Sequence, residues 1–125
     1  MDIRLILIIV IFVMSFTMIV FGLLFDKHVP RNINFVLGYR SPRSMKNQDT
    51  WTFANVYAGR RLWITGVILL ISSLIAILLT LNSDISVMRT VGIVIIIVHA
   101  IMIFGVAIAT EITLRKNFDK QGNRK

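Results

Sequence analysis

Polar and apolar positions alternate in blocks rather than residue by residue. Three stretches, residues 5–25, 62–81 and 91–110, carry no Asp, Glu, Lys or Arg and are almost wholly apolar. A hydrocarbon core of about 30 Å needs about 20 such residues at about 1.5 Å of helical rise each. Each stretch is therefore predicted to be a membrane-crossing helix. The first exceeds the apolar core of a cleavable leader, about 7–15 residues, and the Gly22 to Asp26 segment offers no small-residue cleavage site. It is expected to be a retained helix. Between the spans lie a long polar loop (26–61) and a short polar turn (82–90), and a polar tail (111–125) ends the chain. Asn82, Ser83 and Asp84 supply a helix stop, with Asp84 or Ser86 as a candidate N-cap for the third span.

The long loop is not ordinary connecting chain. Connections are usually short, and long ones are functional or disordered. This one contains Phe35, Tyr39, Trp51, Phe53 and Tyr57, an aromatic content at odds with disorder. Pro30 and Pro42 interrupt helix and bias the preceding residues toward extended backbone. Asn47 is suited to an N-cap, and Asp49 falls in the first turn near the positive end of the dipole. From Gln48 onward, Trp51, Ala54, Asn55, Ala58 and Leu62 recur at three to four residues, so a helix is expected to run unbroken into the second span. Residues 33–37 are too few to cross and are expected in the interface, with Trp51, Tyr57 and Trp63 at headgroup depth.

In order along the loop stand Asn32, Gly38-Tyr39-Arg40-Ser41-Pro42, Met45-Lys46-Asn47, Trp51, Ala54-Asn55 and Gly59. This ordered set resembles the SdpI family of bacterial multi-pass membrane proteins. The resemblance implies immunity to a secreted, SdpC-like toxin peptide, by binding the toxin or blocking its productive insertion. In some members it implies signalling of the toxin's presence, with a basic loop that recruits a cytosolic repressor. It makes Asn32, Gly38, Tyr39, Arg40, Pro42, Asn47, Trp51, Asn55 and Gly59 the candidate functional loop motif.

Charge fixes an orientation. The chain of 125 residues has a formal charge of +8, and the cations cluster. Lys27, Arg31, Arg40, Arg43, Lys46, Arg60 and Arg61 lie in the loop, and Arg115, Lys116, Lys120, Arg124 and Lys125 in the tail. Only Arg4 and Arg89 lie on the other side. The positive-inside rule places the loop and tail in the cytoplasm and the N-terminus outside. This distribution points to anionic lipid at the cytoplasmic face rather than to nucleic acid.

Arg40 and Arg43 could grip carboxylate or phosphate through paired hydrogen bonds, or rest on lipid. Arg40 is expected to pair with Asp49 or a backbone carbonyl and fold the loop over the helix ends, and Glu111 to pair with Arg60 or Arg61. The tail is expected to be helical near Leu114 and frayed at 121–123. His99 is the ionisable group in mid-span, at a depth shared with Ser15, Ser72 and Ser73. Neutral His99 is expected to donate to a serine across a helix interface; the alternative is a proton-sensitive site. Ser72/Ala76 and Gly105/Ala109 are small-residue pairs suited to close helix contact.

With no Cys and with scattered acids, the chain offers no thiolate, metal cluster or catalytic triad. Neither an enzyme nor a cofactor is expected. The predicted fold class is an all-α integral membrane protein, three transmembrane helices with a structured cytoplasmic loop between the first two. It forms a single domain, with homo-oligomerisation covering the polar midplane. A small transporter or channel-like unit, lined by His99, is a further reading.

Overall fold

The computed structural model describes residues 1–125. It contains three helices, α1 (Ile3–Lys27), α2 (Gln48–Thr80) and α3 (Ile85–Asn117), all long and apolar enough to cross a bilayer. At 33 residues each, α2 and α3 reach about 50 Å, well beyond a hydrocarbon core of about 30 Å. Both project past the bilayer at the end that carries the long loop. The turn between them is shorter than the sequence suggests, because residues 85–90 join α3. Asp84 takes the N-cap position of α3 in extended backbone but forms no side-chain cap bond. Asp2 caps α1 by accepting the Arg4 amide.

The three helices are held together by different contacts at different heights. At the far end, Ile11, Ile77 and Met88 pack together, with Ile8, Ile95 and Ile96 around them. Toward the loop, α1 and α2 cross at a pair of glycines. A Cβ on Gly59 would lie 2.8 Å from the Gly22 carbonyl oxygen, and one on Gly22 would lie 2.8 Å from the Gly59 carbonyl oxygen. Only hydrogen fits at either position. One heptad further along α2, a Cβ on Gly66 would lie 3.0 Å from Met18 and Ile19, a close but looser contact. Lipid does not push apolar helices together as water would, so such backbone approach, with its dispersion contacts, is what drives association.

The small residues expected to pack elsewhere do not. Gly105 is exposed and has nothing within 4 Å of an added Cβ. Ser72 is exposed too, and with Ala76 it edges a cleft of about 230 Å³ between α2 and α3. Small size permits close approach, but the crossing point of each helix pair decides where it is used.

Above the apolar region, the projecting ends of α2 and α3 share a second core. Ala54, Leu114 and Phe118 are buried there, against Tyr39 and Phe53. Phe53 meets the Phe118 ring edge-on at 5.3 Å. The tail beyond α3 is folded rather than frayed. Asp119 accepts the amides of Gln121 and Asn123, its own amide donates to the Asn123 carbonyl, and Gly122 turns the chain at φ +88°. The Lys125 amide then returns to the Asn117 carbonyl.

These contacts generate an expectation at the α1–α2 crossing. Gly59→Ala should destabilise the protein by about 1–3 kcal/mol, the usual cost of forcing atoms into a packed contact. Gly105→Ala should leave stability unchanged or slightly raised through helix propensity. Thermal unfolding in detergent separates the two.

Candidate functional site

The site grows from the first turns of α2. Asn47 closes a capping box: its Oδ1 accepts the Thr50 amide at 2.9 Å, and Thr50 Oγ1 accepts the Asn47 amide at 3.1 Å. The Thr50 hydroxyl lies 3.0 Å from the carbonyls of both Ser44 and Asn47 and donates its one proton to either of them. This local chemistry fixes where the helix begins. It also aims the next two turns, with Trp51 and Asn55 on one face, into the loop.

Trp51 and Asn55 are both fully buried. The Trp51 indole donates to the Pro30 carbonyl at 2.8 Å, which ties the start of the loop to α2. Asn55 Oδ1 accepts the Tyr39 amide at 2.7 Å, and its Nδ2 donates to the Trp51 carbonyl at 2.9 Å. Gly38 makes this approach possible on two counts. Its φ of +109° suits glycine, and a Cβ there would lie 2.6 Å from Asn55 Oδ1 and 3.2 Å from the Trp51 ring.

Tyr39 then bridges to α3. Its hydroxyl lies 3.0 Å from Glu111 Oε2 and 3.2 Å from the Ala107 carbonyl. Having one proton, it donates to one of the two at a time. Burial, then the bond to Glu111 and that carboxylate's charge, push the phenol up to about 12. It therefore stays protonated and stays a donor. The other Glu111 oxygen faces Arg43 Nε at 3.6 Å. Ser41 and Ser44 close the turn around Pro42 by exchanging bonds, each hydroxyl accepting the other's amide. The buried Ser44 hydroxyl donates within the same turn.

Residues 118–125 complete the block. Asn47 Nδ2 donates to the Gly122 carbonyl at 2.8 Å, and a Cβ on Gly122 would collide with that amide. Arg124 grips Asp49 with two bonds of 2.8 Å and lies over the Phe118 ring. The Arg124 bond holds the Asp49 carboxyl below the usual carboxylate range. Amides of the tail turn, that of Asn123 first, do the same for Asp119.

Gly38, Tyr39, Pro42, Asn47, Trp51 and Asn55 thus belong to one hydrogen-bonded block, and Gly59 lies just below it at the helix crossing. Asn32 and Arg40 do not join it. Asn32 is exposed and contributes only its carbonyl, which accepts from Asn34. Arg40 is exposed and pairs with neither Asp49 nor a carbonyl. In extended chain successive side chains point to opposite sides, so Tyr39 turning inward sends Arg40 outward. Its expected carboxylate is taken by Arg124. Glu111 likewise pairs with Arg43 rather than Arg60 or Arg61. Arg60 instead meets Asp26 at 3.2 Å, and Trp63 donates to the same carboxylate at 2.9 Å. Asp26, Phe118 and the clasp made by Arg124 are features that sequence reasoning passes over. The hint for Asp26 is an acid at the end of one apolar run facing Arg60 and Trp63 at the start of the next.

In mid-span, Ser15 and His99 are both fully buried and meet at 2.8 Å. His99 Nδ1 lies 2.9 Å from the Ile95 carbonyl. A carbonyl can only accept, so Nδ1 carries the hydrogen. In the neutral ring Nε2 is then the acceptor and Ser15 donates, the reverse of the expected direction. Ser73 is buried nearby, whereas Ser72 bonds back to its own helix at the Leu69 carbonyl. Ser15, Ser73 and His99 are thus buried within one chain, whereas Ser72 stays exposed.

Comparison with known proteins gives a consistent picture. The pattern of the SdpI/YfhL protein family matches residues 31–109, the loop motif and the second and third spans together. A relative from Bacillus subtilis (strain 168), the uncharacterized protein YfhL, is 38% identical over 52 residues, or 42% of this chain and 47% of the relative. The matched part thus spans about half that relative's length. No solved structure matches the chain.

Two outcomes are expected of the block. Asn55→Ala leaves the buried Tyr39 amide without an acceptor, at a cost of about 1–3 kcal/mol. Hydrogen exchange at the Tyr39 amide should accelerate accordingly, while the Ser15–His99 region keeps its protection. The second outcome concerns pH. Asp49 has a folded-state value below its ordinary 3.8, so the tail clasp is fully present above 3.8 and is lost as pH falls through the lower folded value. The bonded amides of Gly122, Asn123 and Lys125 should stay protected at neutral pH and open in that acid range.

Proposed function

The chain belongs to the SdpI/YfhL protein family, and on that basis we propose that it is an immunity protein of the bacterial cell membrane. It protects the membrane against a secreted, membrane-active toxin peptide of the SdpC-like kind, by binding the toxin or blocking its productive insertion. The observation that carries this reading is the convergence of the family's loop residues on one ordered block. Gly38, Tyr39, Trp51 and Asn55 are spent on building a rigid surface over the helix ends, not on chemistry. The block presents Phe35 and Val36, 82% and 85% exposed, with Arg40 close by in sequence. An apolar tip with cations nearby suits contact with an amphipathic peptide at a membrane surface. By the positive-inside rule the block and the tail face the cytoplasm and the N-terminus lies outside.

A second reading is a toxin-responsive scaffold that recruits a cytosolic repressor. It is favoured by the same outward Arg40, a guanidinium that enters none of the protein's ion pairs. Transport ranks below both, because Ser15 and His99 are committed to each other and to Ile95.

Survival of a toxin-sensitive bacterium under toxin challenge tests the proposal, with membrane potential recorded and membrane abundance matched. The chain should protect, and Trp51→Ala should abolish protection by dismantling the block. Phe35→Ser/Val36→Ser should weaken protection without changing the melting temperature. Failure of the intact, inserted protein to protect would refute the immunity reading. Toxin-dependent co-purification of a soluble protein would then favour the scaffold.

A further inference from the structure

Between the loop, α3 and the tail lies a basin of about 450 Å³, lined by charged side chains and Pro42. Three separate segments build it: Pro42, Arg43 and Lys46 from the loop, Glu111 and Arg115 from α3, and Lys120 from the tail. Four cations surround one carboxylate, and that carboxylate is already engaged by Tyr39 and Arg43. Lys46, Arg115 and Lys120 have no acidic partner in the protein's ion pairs. Like charges are brought together here by the fold itself, through the Tyr39–Glu111 bond, the Asn47–Gly122 bond and the Phe118 core. Bringing unpaired cations around one concavity is unfavourable unless an anion shares it.

The geometry points to this basin as a binding site for a phosphate group, the headgroup phosphate of an anionic membrane lipid. Cations come from three separate segments, which suits an anion with several acceptor oxygens such as phosphate. Arg115 can donate paired hydrogen bonds to phosphate oxygens, and Arg43, whose Nε faces Glu111 and whose Nη1 lies 3.5 Å from the Asp119 carbonyl, adds its charge and its remaining Nη2. Depth supplies the lipid. The apolar run of α3 ends at Thr110, and Arg115 stands five residues further on, a rise of about 7 Å along the helix. The headgroup layer on each side of the hydrocarbon is about as thick. The basin therefore opens where lipid phosphates lie. This inference does not depend on the immunity reading and holds for either orientation of the chain.

The test uses the full chain in nanodiscs of phosphatidylcholine, with or without phosphatidylglycerol, and counts retained phosphatidylglycerol by native mass spectrometry. Lys46→Gln/Arg115→Gln/Lys120→Gln should weaken retention by about tenfold or more, since even one lost hydrogen bond to a charged group is worth about tenfold in affinity. Arg31→Gln/Arg40→Gln/Lys116→Gln removes the same charge outside the basin and should cost clearly less retention, the share that diffuse surface charge supplies. Equal losses in the two triples would overturn the site and leave only diffuse surface charge.

Lysine acetylation of the unmutated protein gives an independent answer should the first triple fail to fold. Phosphatidylglycerol should shield Lys46 and Lys120 but not Lys27 or Lys116. Shielding by pyrophosphate in phosphatidylcholine alone, with none from phosphatidylglycerol, would keep the phosphate chemistry and overturn its lipid source. No shielding by either, or shielding only by an acidic peptide, would overturn the proposal.

Discussion

The side-chain amide of Asn55 is the interaction on which the rest of the loop depends. It is wholly buried, in surroundings where an unpaired amide would cost several kcal/mol. It must therefore find partners, and the partners it finds are main chain: the Tyr39 amide on one side and the Trp51 carbonyl on the other. That pairing dictates the course of the neighbouring residues. Gly38 has to be glycine because Asn55 Oδ1 occupies the space of its Cβ. Tyr39 has to turn toward α3, where Glu111 receives it, and Arg40 has to turn away. One buried polar group thereby sets the direction of a polar loop that has no regular structure before residue 48.

The same need for pairing explains how the two membrane-exceeding helices are fastened. Apolar contact between α2 and α3 is sparse in the span, where a cleft separates them around Ser72 and Val94. Beyond the hydrocarbon core they are joined by Phe118 in the core of the block and by Tyr39 reaching Glu111. Where the block meets water, burial of Phe53 and Phe118 is driven as in any soluble protein. In lipid the glycine crossing of α1 and α2 does the holding instead. The chain therefore changes its means of cohesion at the bilayer surface, and the residues change with it: glycine and serine below, aromatic rings and ion pairs above.

Much of this architecture can be read from the sequence because its causes are local. Charge-free runs give the spans, Asn47 and Asp49 give the start of α2, and Trp51 and Asn55 declare a face at helical spacing. The pairings are less accessible. Arg43, Arg60 and Arg124 each take one acid, and periodicity alone does not say which of several cations reaches Glu111, Asp26 or Asp49. Nor does the small size of Gly59, Gly66 and Gly105 tell which lie at a crossing. That depends on where the helix axes meet. The fold of the tail is the least legible of all. Asp119 three residues before Gly122 is a turn signal, but its folding rests on Asn47 and Phe53, more than sixty positions away.

His99 shows how an ionisable group in a span can be structural in its geometry and still informative. With Nδ1–H committed to Ile95 and Nε2 receiving Ser15, both ring nitrogens are satisfied inside the bundle. No unpaired buried side-chain donor or acceptor remains in the protein. Ser15 and His99 therefore leave no buried donor or acceptor idle in mid-membrane. The groups it leaves unsatisfied lie at the surface of the block: an outward guanidinium, an apolar tip, and a ring of cations around a paired carboxylate. A membrane protein that completes its interior and leaves its loop surface incomplete is organised to meet something at that surface. An immunity role makes the same demand, since the threat it answers is a peptide acting on the bilayer itself.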